Sequence, residues 1–121
     1  MKYIFVIITI FAFSCKNKNE NIKAGSICTI EAGDGKFGAI KVLNIDGNMA
    51  HVKIYKNQFD TRPSKIDIST LSMGTIDDTD GFGIGHVPLD TDQFNKWKPI
   101  VIGYEAVEKS ELEGYEIWKN K

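Results

Sequence analysis

Ser26-Ile27-Cys28-Thr29-Ile30-Glu31-Ala32, Phe37-Gly38-Ala39-Ile40-Lys41-Val42-Leu43-Asn44-Ile45 and Met49-Ala50-His51-Val52-Lys53-Ile54-Tyr55-Lys56 are three β-prone runs. They are separated by Gly33-Asp34-Gly35-Lys36 and Asp46-Gly47-Asn48. Asp-Gly pairs tolerate the positive φ that a tight β-turn demands, so each separator predicts a hairpin. In the third run Ala50, Val52 and Ile54 alternate with His51, Lys53 and Tyr55, which predicts one face turned to a core and the other to water. Strands joined by short turns predict a mainly β (α+β) domain. The expected architecture is a small, bent antiparallel meander of the SH3-like barrel kind, with an open sheet as the alternative.

Downstream the pattern loosens. Arg62-Pro63-Ser64-Lys65 reads as a turn, and Ile66, Ile68 and Leu71 as a short strand or single helical turn. From Ser72 to Leu89 the chain is punctuated by Gly74, Asp77-Asp78-Thr79-Asp80 and Gly81-Phe82-Gly83-Ile84-Gly85-His86-Val87-Pro88, and reads as a long loop. Asp90 and Gln93 have capping-box-like spacing, which predicts a short helix near 91–97 with Phe94 and Trp97 on its inner side, ended by Pro99. Residues 100–107 read as a strand. Ser110 and Glu113 predict the cap of a C-terminal helix near 111–119 carrying Leu112, Tyr115 and Trp118, weakened at Gly114 by about 1 kcal/mol relative to Ala.

With 121 residues, 42% of them hydrophobic, the chain is long enough for one domain with its own core. Its 15 Lys and Arg against 16 Asp and Glu leave a net charge of -1. That balance argues against a phosphate-tracking groove, so no nucleic-acid partner is expected.

The N-terminus carries its own signal. Lys2 precedes an apolar run over residues 3–13, then Ala12-Phe13-Ser14-Cys15 leads into Lys16-Asn17-Lys18-Asn19-Glu20-Asn21. The run is shorter than the about 20 residues a spanning helix needs and fits a secretory leader. Ala12-Phe13-Ser14-Cys15 resembles a bacterial lipobox, whose cysteine is lipidated and becomes the new N-terminus. The expected organisation is a lipoprotein signal peptide over 1–14, a flexible tether over 15–24 and a single β-rich domain over 25–121. Several acyl chains on Cys15 hold a protein firmly where one holds it marginally. The expected address is the cell envelope, lipid-anchored on a periplasmic or cell-surface face. Cys28 would then be the remaining thiol in an oxidising compartment, and is expected to be buried.

No catalytic constellation is legible. Asp77, Asp78 and Asp80 precede Gly81 as in a calcium loop, but Ile76 and Val87 stand where oxygen ligands are required. The spacing of Gly81, Gly83 and Gly85 is not a dinucleotide fingerprint. His51 and His86 lack metal-ligand spacing, so neither a metal nor a cofactor is expected. A Cys28 nucleophile with His86 as its base lacks an identifiable orienting group.

Gly35-Lys36-Phe37-Gly38-Ala39-Ile40-Lys41-Val42-Leu43, then Ile84-Gly85-His86-Val87-Pro88-Leu89, then Ser110-Glu111-Leu112-Glu113-Gly114-Tyr115 resemble in order the layout of the Immunity protein 26 family of bacterial polymorphic toxin systems. That family has an Asp-Gly-Lys-Tyr/Phe-Gly hairpin, a Gly-x-x-Pro-Leu element and an acidic Glu-Gly segment. The resemblance implies neutralisation of a toxin, and the lipobox, which departs from the mostly unlipidated family, directs that role to the envelope. The expected function is a lipid-anchored, monomeric, non-catalytic protein-binding module without enzymatic activity. Asp77, Asp78, Asp80, Phe82 and His86 are its candidate partner-binding residues, since acidic loops steer toward basic partners. The alternative is a small envelope hydrolase or glycan-binding lipoprotein using the same loop with Trp97 exposed.

Overall fold

The structure, a computed structural model, describes residues 22–79 and 81–121. The leader, Cys15, most of the tether and Asp80 lie outside the described residues. The chain forms strands β1 (Ser26–Gly33), β2 (Lys36–Asp46), β3 (Met49–Phe59), β4 (Ile84–Asp90) and β5 (Ile100–Tyr104). Helix α1 spans Thr91–Lys96 and α2 spans Glu113–Lys119, with single 3-10 turns at Ile68–Thr70 and Lys109–Leu112. The five strands make one antiparallel sheet in the order β4-β3-β2-β1-β5, with β4 and β5 at its unclosed edges.

Both predicted hairpins form. Gly33 pairs with Lys36, and the intervening Asp34 and Gly35 have φ of 55° and 75°, the doubly left-handed pattern of a type I′ turn. Asp46 pairs with Met49 around Gly47, whose φ is 63°. Register shifts between Gly38 and Ile40 and between Val42 and Asn44 interrupt the β2–β3 ladder. Such irregularities bend a strand and increase its twist.

One face of the sheet packs Cys28, Ile30, Ile40, Val42, Ala50 and Val52 against Phe94 of α1, with Ile22, ahead of Gly25, packed at the margin. Fully burying one such aliphatic side chain contributes roughly 1.5–3 kcal/mol. Asp90 caps α1 by accepting from Gln93 N at 2.8 Å, and Trp97 O accepts from Glu31 N at 2.8 Å, which ties the helix end to β1.

Three expectations are corrected. The stretch read as a loop to Leu89 contains β4, in which Val52 pairs with Val87 and His51 with Pro88. Pro88 is tolerated because β4 is an edge strand whose outer N–H groups need no ladder partner. The C-terminal helix is entered through a 3-10 turn whose capping box is Glu108 with Glu111, not Ser110 with Glu113. Finally, the face of β3 carrying His51, Lys53 and Tyr55 is not wet: His51 is 0% and Tyr55 7% exposed. The chain after β5 returns across that face and covers it.

Candidate functional site

The second face of the sheet builds its site from alternation. Lys41 of β2 and His51 and Lys53 of β3 project from the side opposite the apolar core. They meet a C-terminal strap consisting of residues 105–108, the turn Lys109–Leu112 and α2.

The strap is held at two places by different chemistry. At the first, the buried Lys41 ammonium donates to Glu105 Oε1 at 2.9 Å, to Ala106 O at 3.0 Å and to Glu111 Oε1 at 2.8 Å. Lys53 donates to Glu111 Oε2 at 2.7 Å. Burial lowers the Lys41 pKa, but the hydrogen bonds to Glu111 and Glu105 outweigh it and leave it raised. Burial likewise raises Glu111. The Glu108 backbone N–H and the Lys41 and Lys53 ammoniums overcome this and hold its carboxyl down to about 2.

At the second place, α2 presses aromatic rings onto the histidines. Tyr115 and Trp118 each stand edgewise to His51, with ring centroids 4.6 Å away. Tyr115 Oη donates to Asp46 Oδ2 at 3.1 Å. Gly114 allows this approach, because a Cβ there would come within 2.6 Å of His86 Cβ. His51 Nδ1 and His86 Nε2 are 2.9 Å apart. Between β4 and the strap lies an open cleft of about 360 Å³ whose lining includes Lys53, His86, Ser110, Glu111 and Gly114. Its strongest charges, Lys53 and Glu111, neutralise one another.

The sequence-predicted residues divide between two settings. Asp77 is exposed, and Phe82 is 53% exposed. They share the segment between β3 and β4 with Ile76, which is 79% exposed, and Ile84, the first residue of β4, is 48% exposed. Asp78 is half-exposed but engaged, accepting from Thr75 N at 2.9 Å and from Lys56 Nζ at 3.2 Å. The Thr75 amide and then the Lys56 ammonium hold its carboxyl below the usual range. It braces the loop. His86 belongs to β4 and is engaged beneath α2. Asp80 lies outside the described residues, as does Cys15.

The buried pairing of Lys41 and Lys53 with Glu111 was missed at the sequence level, although a lysine in the middle of the apolar run of β2 was its available signal. Cys28 is buried as expected, and burial pushes its thiol up to about 12, which removes the thiolate a nucleophile needs. Among the described residues no group of three or more His, Cys, Asp or Glu side chains could hold a metal ion, and no helix is long and apolar enough to cross a membrane.

Neither a protein-family model, nor a curated protein, nor a solved structure matches this chain.

Proposed function

We propose that this chain is a non-catalytic protein-binding module, anchored in the cell envelope by acyl chains on Cys15, whose recognition surface is the loop preceding β4. The role we assign is neutralisation of a toxin, as the resemblance to the Immunity protein 26 family implies. The observation that carries the reading is the exposure of Ile76, Asp77 and Phe82 in the loop and of Ile84 where it enters β4. Large apolar side chains exposed along one short stretch beside a carboxylate suit an interface with a partner carrying basic groups. The loop is also braced to present them: Gly83 N donates to Met73 O at 2.6 Å, and Asp78 bonds Lys56. A braced loop loses less conformational entropy on binding.

The glycan-binding alternative draws less support. Trp97 is half-buried against the core, and the cleft it lines, of about 440 Å³, presents Glu31 beside Ile30 and Ile54 rather than a set of carboxylates. We also infer that the sheet coils into an incompletely closed SH3-like barrel. Support comes from the return of β5 to pair with β1 and from the bends in β2.

The test is binding to the product of the neighbouring reading frame. Phe82→Ala should weaken the complex at least about tenfold, as expected for an aromatic anchor, and Asp77→Lys should slow association most at low salt. Unchanged rates and affinity in both variants would remove this loop as the interface. Palmitate labelling that survives Cys15→Ala would remove the anchor.

A further inference from the structure

His51 and His86 are the chain's two histidines, 35 positions apart, and the fold sets them edge to edge beneath α2. Their rings are 8° from parallel with centroids 5.1 Å apart. The 2.9 Å contact between His51 Nδ1 and His86 Nε2 requires one nitrogen to donate and the other to accept. With both rings protonated no acceptor remains. His51 Nε2 is buried without a hydrogen-bond partner, so a charge on this ring has no direct counter-ion at that nitrogen.

The groups facing the pair come from every neighbouring element. From β2, Asp46 faces His51, and its carboxylate already accepts from Tyr115 Oη. From α2 come Tyr115 and Trp118, with the Lys119 ammonium 5.9 Å above the Tyr115 ring. His86 shares its cleft with Lys53, Ser110 and Glu111, and Lys53 and Glu111 are bonded to each other.

The geometry points to a pH-sensitive latch: protonation of the His51–His86 pair releases α2 from the sheet while the turn ahead of it stays bound. Burial lowers the pKa of both imidazoles. The neighbouring His86 lowers His51 further, and Asp46 partly offsets this. The closed form thus binds fewer protons than the released form, in which water reaches both rings and moves them back toward the ordinary value of about 6.5. The closed population is greatest above that pH. It falls as pH drops through it toward the lowered values, by up to about tenfold per pH unit for each imidazole. Glu111 behaves differently. Its carboxyl is held down to about 2, so the ion pairs to Lys41 and Lys53 persist where the histidines titrate, and the strap pivots at the junction of Leu112 and Glu113.

The test is fluorine NMR of the full chain labelled with 5-fluorotryptophan, titrated from about pH 8 to about pH 5. Trp118 reports on α2 and Trp97 on the core, with the Trp118 signal assigned from a Trp118→Phe protein. The Trp118 signal should move toward its exposed position with a midpoint below about 6.5, while the Trp97 signal stays fixed. In His86→Gln only His51 is left to protonate, so the change in closed population per pH unit read from the Trp118 signal should fall to about half of the parent's on a logarithmic scale. A Trp118 signal that never moves in the unsubstituted protein overturns the latch. So does a Trp97 signal that moves with it, which would be unfolding of the whole domain, or a His86→Gln protein that titrates like the parent.

Discussion

Gly114 sits where helix propensity and packing oppose each other. Replacing glycine by alanine inside a helix is ordinarily worth about 1 kcal/mol. Here the added Cβ would come within 2.6 Å of His86 Cβ, and overpacking of this kind costs about 1–3 kcal/mol. Gly114→Ala is therefore expected to lower the urea midpoint at neutral pH, and a raised midpoint would show that α2 does not close on β4. The second residue-scale prediction concerns Glu111, which is bonded to the fully buried Lys41. Glu111→Gln removes one of the two carboxylates that neutralise Lys41 and the one bonded to Lys53, and should cost about 1.5–3 kcal/mol of unfolding free energy, with Glu105 still paired to Lys41. A loss below about 0.5 kcal/mol would place this pair with weak surface bridges.

At the scale of the element, the C-terminal strap should respond to acid in two windows. A carboxyl whose folded pKa is depressed contributes stability that is present above its unfolded value and lost as pH falls toward the folded one. For Glu111 that window runs from the ordinary glutamate value of 4.5 down to about 2. The side chain is 12% exposed, so the contribution lost is on the order of 3 kcal/mol. Chemical denaturation at successive pH values should show this fall in the parent protein and a flattened profile in Glu111→Gln. The histidine window lies higher, below about pH 6.5, and affects α2 alone. β4 makes the complementary point about elements. Gly85 and Pro88 erase its strand signature, yet it forms because β3 offers a ladder and Val87 and Leu89 reach the core.

For the whole molecule, the consequence of the strap is that both faces of the sheet are covered. A chain ending at Glu108 would lose Glu111, Tyr115 and Trp118, leaving Lys41 with Glu105 and Ala106 alone and His51 without the rings that cover it. Such a truncation is expected to abolish cooperative thermal unfolding or lower its midpoint by more than about 10 °C, given a shift of about 4–8 °C per kcal/mol in a domain of this size. Calorimetry of the truncated chain checks this, and an unchanged midpoint would make the strap an ornament on a self-sufficient sheet.

The hairpins, the α1 cap at Asp90 and the core-facing Ala50 and Val52 were legible from residue order, because they depend on turn chemistry and alternation among near neighbours. The loop residues Asp77 and Phe82 were legible as exposed polar and aromatic groups among glycines, whereas the ion pair of Asp78 depended on Lys56, which only folding brings near. The burial of His51 and Lys41, the pairing of His51 with His86 and the clasp of Glu111 are tertiary outcomes. Alternation states that two faces differ but not what lies over the second. That was decided by a strap whose contacts span long stretches of chain, such as the 70 positions between Lys41 and Glu111. No local pattern encodes such a distance, because the free energy that selects it arises only once the sheet has formed and its second face is there to be covered.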